Sequence, residues 1–263
     1  MNALRFYELM FTNHPLPLLL CSLLLGVWAL SAQAEGYYID PVSWQIRAYD
    51  HNATAPLALL TIDDSPHPAS TEGFLALLER YDLQAIFFIN GYRIDSRQTE
   101  VLQRVAKAGH LIGNHTWSHP NLTRLDANAT TEEIVRLNRW VETHTHQRPR
   151  YFRPPYGLAT PFSQAAIEKE QMVNMGWSVN SYDYTYRDRN DTEAAAAIAA
   201  RTLRAMRDGG IILIHDHPQS LKALEGIIEG LLKRGYRFVL PQAADPSVRA
   251  LDSQPHTPDA DRF

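Results

Sequence analysis

Leu57-Ala58-Leu59-Leu60-Thr61-Ile62 is a compact apolar run of strand length, and it runs straight into two adjacent carboxylates, Asp63-Asp64. A short apolar run bounded by polar residues reads as a buried strand. The same arrangement recurs downstream. Gln84–Ile89 contains Ile86-Phe87-Phe88-Ile89, and His110–Gly113 runs into Asn114-His115-Thr116-Trp117-Ser118-His119. Tyr151-Phe152 runs into Arg153-Pro154-Pro155-Tyr156. Met172–Val179 leads to Asn180 and Asp183, Ile211–Ile214 leads to His215-Asp216-His217, and Arg237–Leu240 is a last strand-like piece.

Helical patterns separate these runs. Ser70–Tyr81 carries Phe74, Leu77 and Leu78 on one face, and Ser96–Ala108 carries Val101, Leu102 and Val105 before Gly109 stops it. Thr130–His144 shows a stripe of Ile134, Leu137 and Val141, with Thr130 or Thr131 expected as its cap. An Ala-rich helix is expected over Thr192–Arg207, and another over Ser220–Arg234 with Gly235 as its stop. Strand–helix alternation of this kind implies parallel strands joined by helical crossovers, in an open doubly wound sheet or a barrel.

Composition narrows the class. The chain has 263 residues, 45% hydrophobic and 21% charged, which excludes disorder, collagen and coiled coil as whole-chain descriptions. Lys plus Arg is 25 against 29 for Asp plus Glu, with no basic block, so nucleic acid is not an expected partner. One cysteine excludes an intramolecular disulfide framework and a cysteine zinc cluster.

Residues 1–34 read as a signal peptide: a lead with Arg5, an apolar run from Leu16 to Leu30, and the small-residue triplet Ala32-Gln33-Ala34. Cleavage after Ala34 would export the protein to the periplasm or the medium, with no stable membrane anchor, and would remove Cys21 with the leader. The mature chain then divides into a lead segment (35–56), one catalytic domain (57–242) and a polar, flexible tail (243–263). A monomer is expected.

In parallel α/β architectures the carboxyl ends of the strands form one rim, where chemistry is gathered. Here five strand ends deliver adjacent acids, two histidines on one loop, an arginine, an aspartate and a further histidine. His115, His119 and one of Asp63 or Asp64 make a three-ligand site for a divalent ion with open positions for water and substrate. Neighbours in an extended segment point opposite ways, so one Asp can bind metal while the other acts as general base. His215, on a separate strand, can serve as general acid. No GxSxG elbow is present to suggest a covalent intermediate.

These strings resemble the polysaccharide deacetylases with the NodB-homology domain, carbohydrate esterase family four, from about Leu57 to Leu240. Thr61-Ile62-Asp63-Asp64-Ser65-Pro66 matches T-F-D-D-G-P, His115 to His119 matches H-[ST]-x-x-H, and Arg153 to Tyr156 matches R-x-P-Y. Trp177 to Tyr184 resembles D-x-x-D-W, and Leu213-Ile214-His215 matches L-x-H. The resemblance implies a distorted (β/α) barrel of seven or eight parallel strands in a single domain. It makes Asp63 the general base, and Asp64, His115 and His119 the ligands of a divalent metal, zinc first and cobalt or nickel as alternatives. Arg153 would hold the base, Asp183 would orient His215, and His215 would protonate the departing amine. The backbone N–H of Tyr156 would join the metal in polarising the acyl oxygen, and Trp117 and Tyr184 are expected to bind substrate.

The function implied is a metal-dependent hydrolase of linear amides, removing N-acetyl groups from an N-acetylglucosamine-containing polysaccharide by attack of metal-bound water. Peptidoglycan, chitooligosaccharide and exopolysaccharide are the expected substrates. An O-acetyl esterase on xylan or another polysaccharide and a non-catalytic carbohydrate-binding protein are the alternatives.

Three positions depart from the family pattern. Ser65 stands where a glycine is usual, so a turn favouring φ > 0 would have to be made another way. Asn180 replaces the first Asp of the fourth motif and Tyr184 replaces its Trp, changes expected to alter the groove wall and not the chemistry. His67 and His217 are expected to be loop histidines and not further ligands.

Overall fold

The computed structural model describes residues 36–242 except His51, Ala53 and Asn190. The signal-peptide and tail expectations lie outside the described residues. Among those described, no helix is long and apolar enough to cross a membrane.

Among the described residues, ten strands form one curled sheet. In chain order they are β1 (Tyr37–Asp40), β2 (Gln45–Ala48), β3 (Leu57–Ser65), β4 (Ile86–Ile89), β5 (Leu111–Asn114), β6 (Tyr151–Phe152), β7 (Val173–Asn174), β8 (Val179–Asn180), β9 (Gly210–His215) and β10 (Arg237–Phe238). Six helices cover it: α1 (Thr71–Arg80), α2 (Ser96–Lys107), α3 (Ala127–Thr145), α4 (Pro161–Lys169), α5 (Thr192–Ala205) and α6 (Pro218–Lys233). The main path runs β1-β2-β9-β3-β4-β5-β6-β7, with β10 pairing β3 and β8 pairing β9. All pairings among β3–β10 are parallel, so eight parallel strands make the distorted, incompletely closed barrel that the alternation implied.

β3 lies at the centre, and all nine of its residues are buried. A strand covered on both faces carries an unbroken apolar run, as its sequence does. Its side chains still alternate. Leu57 and Leu59 face an interior cluster with Ile86, Phe88, Tyr151 and Ile211. Ala58, Leu60 and Ile62 face the helical layer, where Phe74, Leu102, Leu137, Leu224 and Ile228 meet them.

Four features depart from the sequence reading. The lead segment is no appendage: β1 and β2 form an antiparallel hairpin whose Gln45 pairs with Gly210 of β9, burying Ile46 completely. α3 begins one turn early, because the Asp126 carboxylate accepts from the Ala129 amide and caps it, while Thr130 is buried inside the helix. Met172–Val179 is broken into the two-residue strands β7 and β8. Finally α4 has no counterpart in the sequence reading, although Thr160 and Ser163 cap it reciprocally and Pro161 opens it.

Candidate active site

The interior side of β3 continues from Leu57 and Leu59 through Thr61 to Asp63, so the first carboxylate points into the barrel. There it meets Arg153, which has no exposed surface. The guanidinium donates from Nη1 to Asp63 Oδ1 (2.6 Å) and Thr61 Oγ1 (2.8 Å), from Nε to the Met175 carbonyl (3.0 Å), and from Nη2 to the Gly176 carbonyl (2.9 Å). Its Cζ lies 4.2 Å from the centre of the Phe88 ring. A buried charge is tolerable only when paired and hydrogen-bonded, and these four bonds with the Asp63 ion pair meet that need.

Strict alternation would send Asp64 into the helical layer. Instead its φ is 62°, and the register of β3 against β4 shifts between Ile62 and Ser65. The kink returns Asp64 to the same rim as Asp63, so the two carboxylates divide their roles through a left-handed residue and not through extended geometry. The positive φ falls at Asp64 and not at Ser65. Ser65 is fully buried and its hydroxyl donates to Asp216 Oδ2 at 2.9 Å, a bond no glycine could make.

Asp64 Oδ1 lies 3.8 Å from His115 Nε2 and 3.5 Å from His119 Nε2. One donor atom from each of the three residues falls within 4.8 Å of the others. His115 Nδ1 sits 2.6 Å from the Arg153 carbonyl, which can only accept, so Nδ1 is the donor there and Nε2 is the atom turned to the cluster. Burial, helped by the neighbouring His115, lowers the His119 pKa to about 4, so this imidazole is free of its proton at neutral pH and able to ligate. Burial alone would raise the Asp64 carboxyl, but electrostatic interaction with the surrounding His115, His215, His119 and Arg93 side chains outweighs it and holds Asp64 below its ordinary value. Two imidazoles and an ionised carboxylate with donor atoms this close fit a divalent ion of the zinc type.

His215 reaches the same rim from β9, where it stands in register with Asp63. Asp183 Oδ1 lies 2.8 Å from His215 Nδ1, and its Oδ2 accepts from the His215 amide (2.6 Å) and Ser220 Oγ (2.5 Å). Burial would push the imidazole down, yet the Asp183 charge and hydrogen bond, reinforced by Asp63 and Asp64, raise it to about 9. His215 is therefore protonated at neutral pH, and among the described residues no hydrogen bond occupies its Nε2.

The expected substrate-side residues divide. Tyr156, at φ 59°, sets its half-exposed ring 4.9 Å from His119. Tyr184 sits edge-on to His215 with ring centres 5.8 Å apart, and Asn180 hydrogen-bonds its side chain. Trp117 does not join them. Its ring packs onto the helical core, with Arg136 3.8 Å above it, and a Cβ at Gly91 would come within 2.2 Å of it. His67 and His217 are loop residues as expected: His217 Nδ1 caps α6 by accepting from Gln219, and His67 Nδ1 accepts from the Ala69 amide.

Three residues escaped the sequence reading. Asp216 is buried; it accepts from Ser65, Ser70 (2.7 Å) and Thr71 (2.5 Å), and its amide donates to the Asp63 carbonyl at 2.7 Å. It thereby ties the β9 loop to the carboxylate-bearing end of β3. Only its place beside His215 hinted at this. Arg187 and Arg93 approach Asp64 Oδ2 at 3.4 and 3.8 Å. Neither sits in a recognisable motif.

This is the rim chemistry of an acyl-transfer hydrolase, and comparison with known proteins agrees. Residues 50–175 match the family model described as Polysaccharide deacetylase. The peptidoglycan-N-acetylmuramic acid deacetylase PdaC of Bacillus subtilis is 35% identical over 68% of this chain and 37% of its own length. A chitooligosaccharide deacetylase of Bradyrhizobium sp. is 30% identical over 70% of this chain and 88% of its own. The solved structure of PdaC superposes with a TM-score of 0.63 and 33% identity, covering 76% of this chain and 89% of that one. The chain belongs to the polysaccharide deacetylase family. It spans only 37% of the length of the PdaC sequence, and the same share of the peptidoglycan deacetylase PgdA of Listeria monocytogenes.

Proposed function

We propose that the protein is an exported, metal-dependent hydrolase that removes N-acetyl groups from an N-acetylglucosamine-containing polysaccharide such as peptidoglycan or a chitooligosaccharide. The observation that carries this reading is the pairing of Asp63 with His215. A carboxylate held by a buried arginine and a protonated imidazole held by a buried carboxylate stand in register on neighbouring strands, flanking the Asp64-His115-His119 cluster. Asp64, His115 and His119 would hold the ion. When bound, a zinc, cobalt or nickel ion supplies Lewis-acid polarisation of the acyl oxygen and lowers the pKa of water.

The chain's own groups do the rest. Asp63 takes a proton from water as its oxygen adds to the acyl carbon, and Arg153 keeps that carboxylate aimed. By the family resemblance, the Tyr156 amide would polarise the developing oxyanion. As the carbon–nitrogen bond breaks, His215 gives its Nε2 proton to the departing nitrogen, releasing acetate and a free amine. An amine leaves far better protonated, so the Asp183–His215 pair favours the amide over the ester. Export rests on the sequence of residues 1–34.

The test is acetate release by chelator-treated protein, with and without added zinc or cobalt, on chitooligosaccharide, peptidoglycan and acetylxylan. Release restored by metal and absent in Asp63→Asn is expected. Silence on every N-acetylated glycan, with one ion bound per chain, would overturn the deacetylase reading.

A further inference from the structure

The two carboxylate oxygens of Asp64 face different company. Oδ1 is turned to His115 and His119, while Oδ2 is approached by two guanidiniums, Arg187 at 3.4 Å and Arg93 at 3.8 Å. One oxygen cannot satisfy two planar, five-donor groups, and a carboxylate that also serves a cation has less charge to give them. Among the described residues neither arginine has another carboxylate within ion-pair distance. The two come from separate segments: Arg93 lies on the turn after β4, and Arg187 follows the turn that carries Asp183. Arg187 is about half exposed and Arg93 a fifth exposed, so both heads reach the open rim. Their charge is felt nearby. After burial, Arg93 and Arg187 are among the influences that lower His67, and Arg187 is among those that lower His217. Beside Arg93, Tyr92 offers an exposed ring whose hydroxyl accepts from Arg93 Nε at 2.9 Å, fixing the guanidinium.

We propose that Arg93 and Arg187 form a carboxylate-binding subsite beside Asp64, so that the preferred substrate is an N-acetylated sugar bearing a carboxylate close to its acetamido group. This rests on the deacetylase reading and deepens it. The guanidiniums stand against Oδ2 of a residue of the Asp64-His115-His119 cluster, so a carboxylate carried close to an acetamido group held at that cluster would be within their reach. A lactyl ether is one source of such a carboxylate. The acidic end of a peptide attached to that ether is another.

The experiment compares kcat/KM of zinc-restored enzyme on three N-acetylated glycans of equal length. One is neutral, one carries free lactyl carboxylates, and one carries lactyl groups capped by short acidic peptides. Arg93→Gln, Arg187→Gln and Arg187→Lys are measured beside the parent. A preference of about tenfold for an acidic glycan is expected, reduced about tenfold by either glutamine variant, partly retained by the lysine variant, and weakened by salt. Whichever acidic glycan shows the effect identifies the source of the carboxylate. Equal losses on neutral and acidic glycans would mean that the arginines only support Asp64, and would overturn the proposal, as would a parent enzyme with no acidic preference. Calorimetric binding of the same glycans to Asp63→Asn separates this idea from the deacetylase reading. An arginine-dependent binding preference upholds the subsite even without turnover, and binding blind to the carboxylate sinks it.

Discussion

Arg153 serves the site twice, with different parts of one residue. Its guanidinium fixes the base Asp63, and its carbonyl fixes the tautomer of His115. Substitution of the side chain leaves the carbonyl in place, so Arg153→Lys is expected to cut acetate release at least about a hundredfold while one zinc per chain still binds, as measured by acetate assay and metal analysis. Asp183 governs pH dependence. His215 acts as an acid only while protonated, and its pKa of about 9 keeps it so across neutral pH, so kcat/KM should fall as pH rises through about 9. In Asp183→Asn the main influence that raises it is gone and burial dominates. The alkaline limb of the profile should then move down toward or below 6.5, the ordinary histidine value.

At the scale of elements, the loops that close the site are held by buried polar ties. Asp216 binds three hydroxyls from β3 and the start of α1. Burial raises its carboxyl to about 6 in spite of those bonds, so at neutral pH it is a charged group kept in place by its donors. Removing it leaves buried hydroxyls unpaired, and Asp216→Ala should lower stability by about 2–4 kcal/mol in denaturant titration, with kcat falling because Asp63 and His215 lose their shared tether. α3 gives a milder case: Asp126→Ala removes its cap and should cost about 1 kcal/mol by the same measurement, with no change in metal binding.

At the scale of the whole molecule, the alternating fold, the rim position of the site and its metal cluster were legible in the sequence. Long apolar runs and stripes announce strands and helices, and parallel topology sends their carboxyl ends to one side. What stayed hidden depended on contacts between distant segments. The hairpin β1–β2 has four-residue strands whose register is set by the sheet it joins. α4 is short and capped by Ser163 where Glu or Gln would have been recognisable. Trp117 was expected to bind substrate, yet Gly91 leaves room for its ring to pack inward. Metal should register globally too: zinc at a hundred times its dissociation constant is expected to add about 2.7 kcal/mol to unfolding stability, and His115→Ala should abolish that gain in a thermal scan.

β3 is buried on both faces and flanked by β9 on one side and by β4 and β10 on the other. Both reactive carboxylates therefore ride on the segment with the fewest routes to local opening. Its amides should be among the slowest to exchange with deuterium. Gradual denaturant should leave catalysis intact until the entire fold gives way, so the inactivation and unfolding curves should overlay.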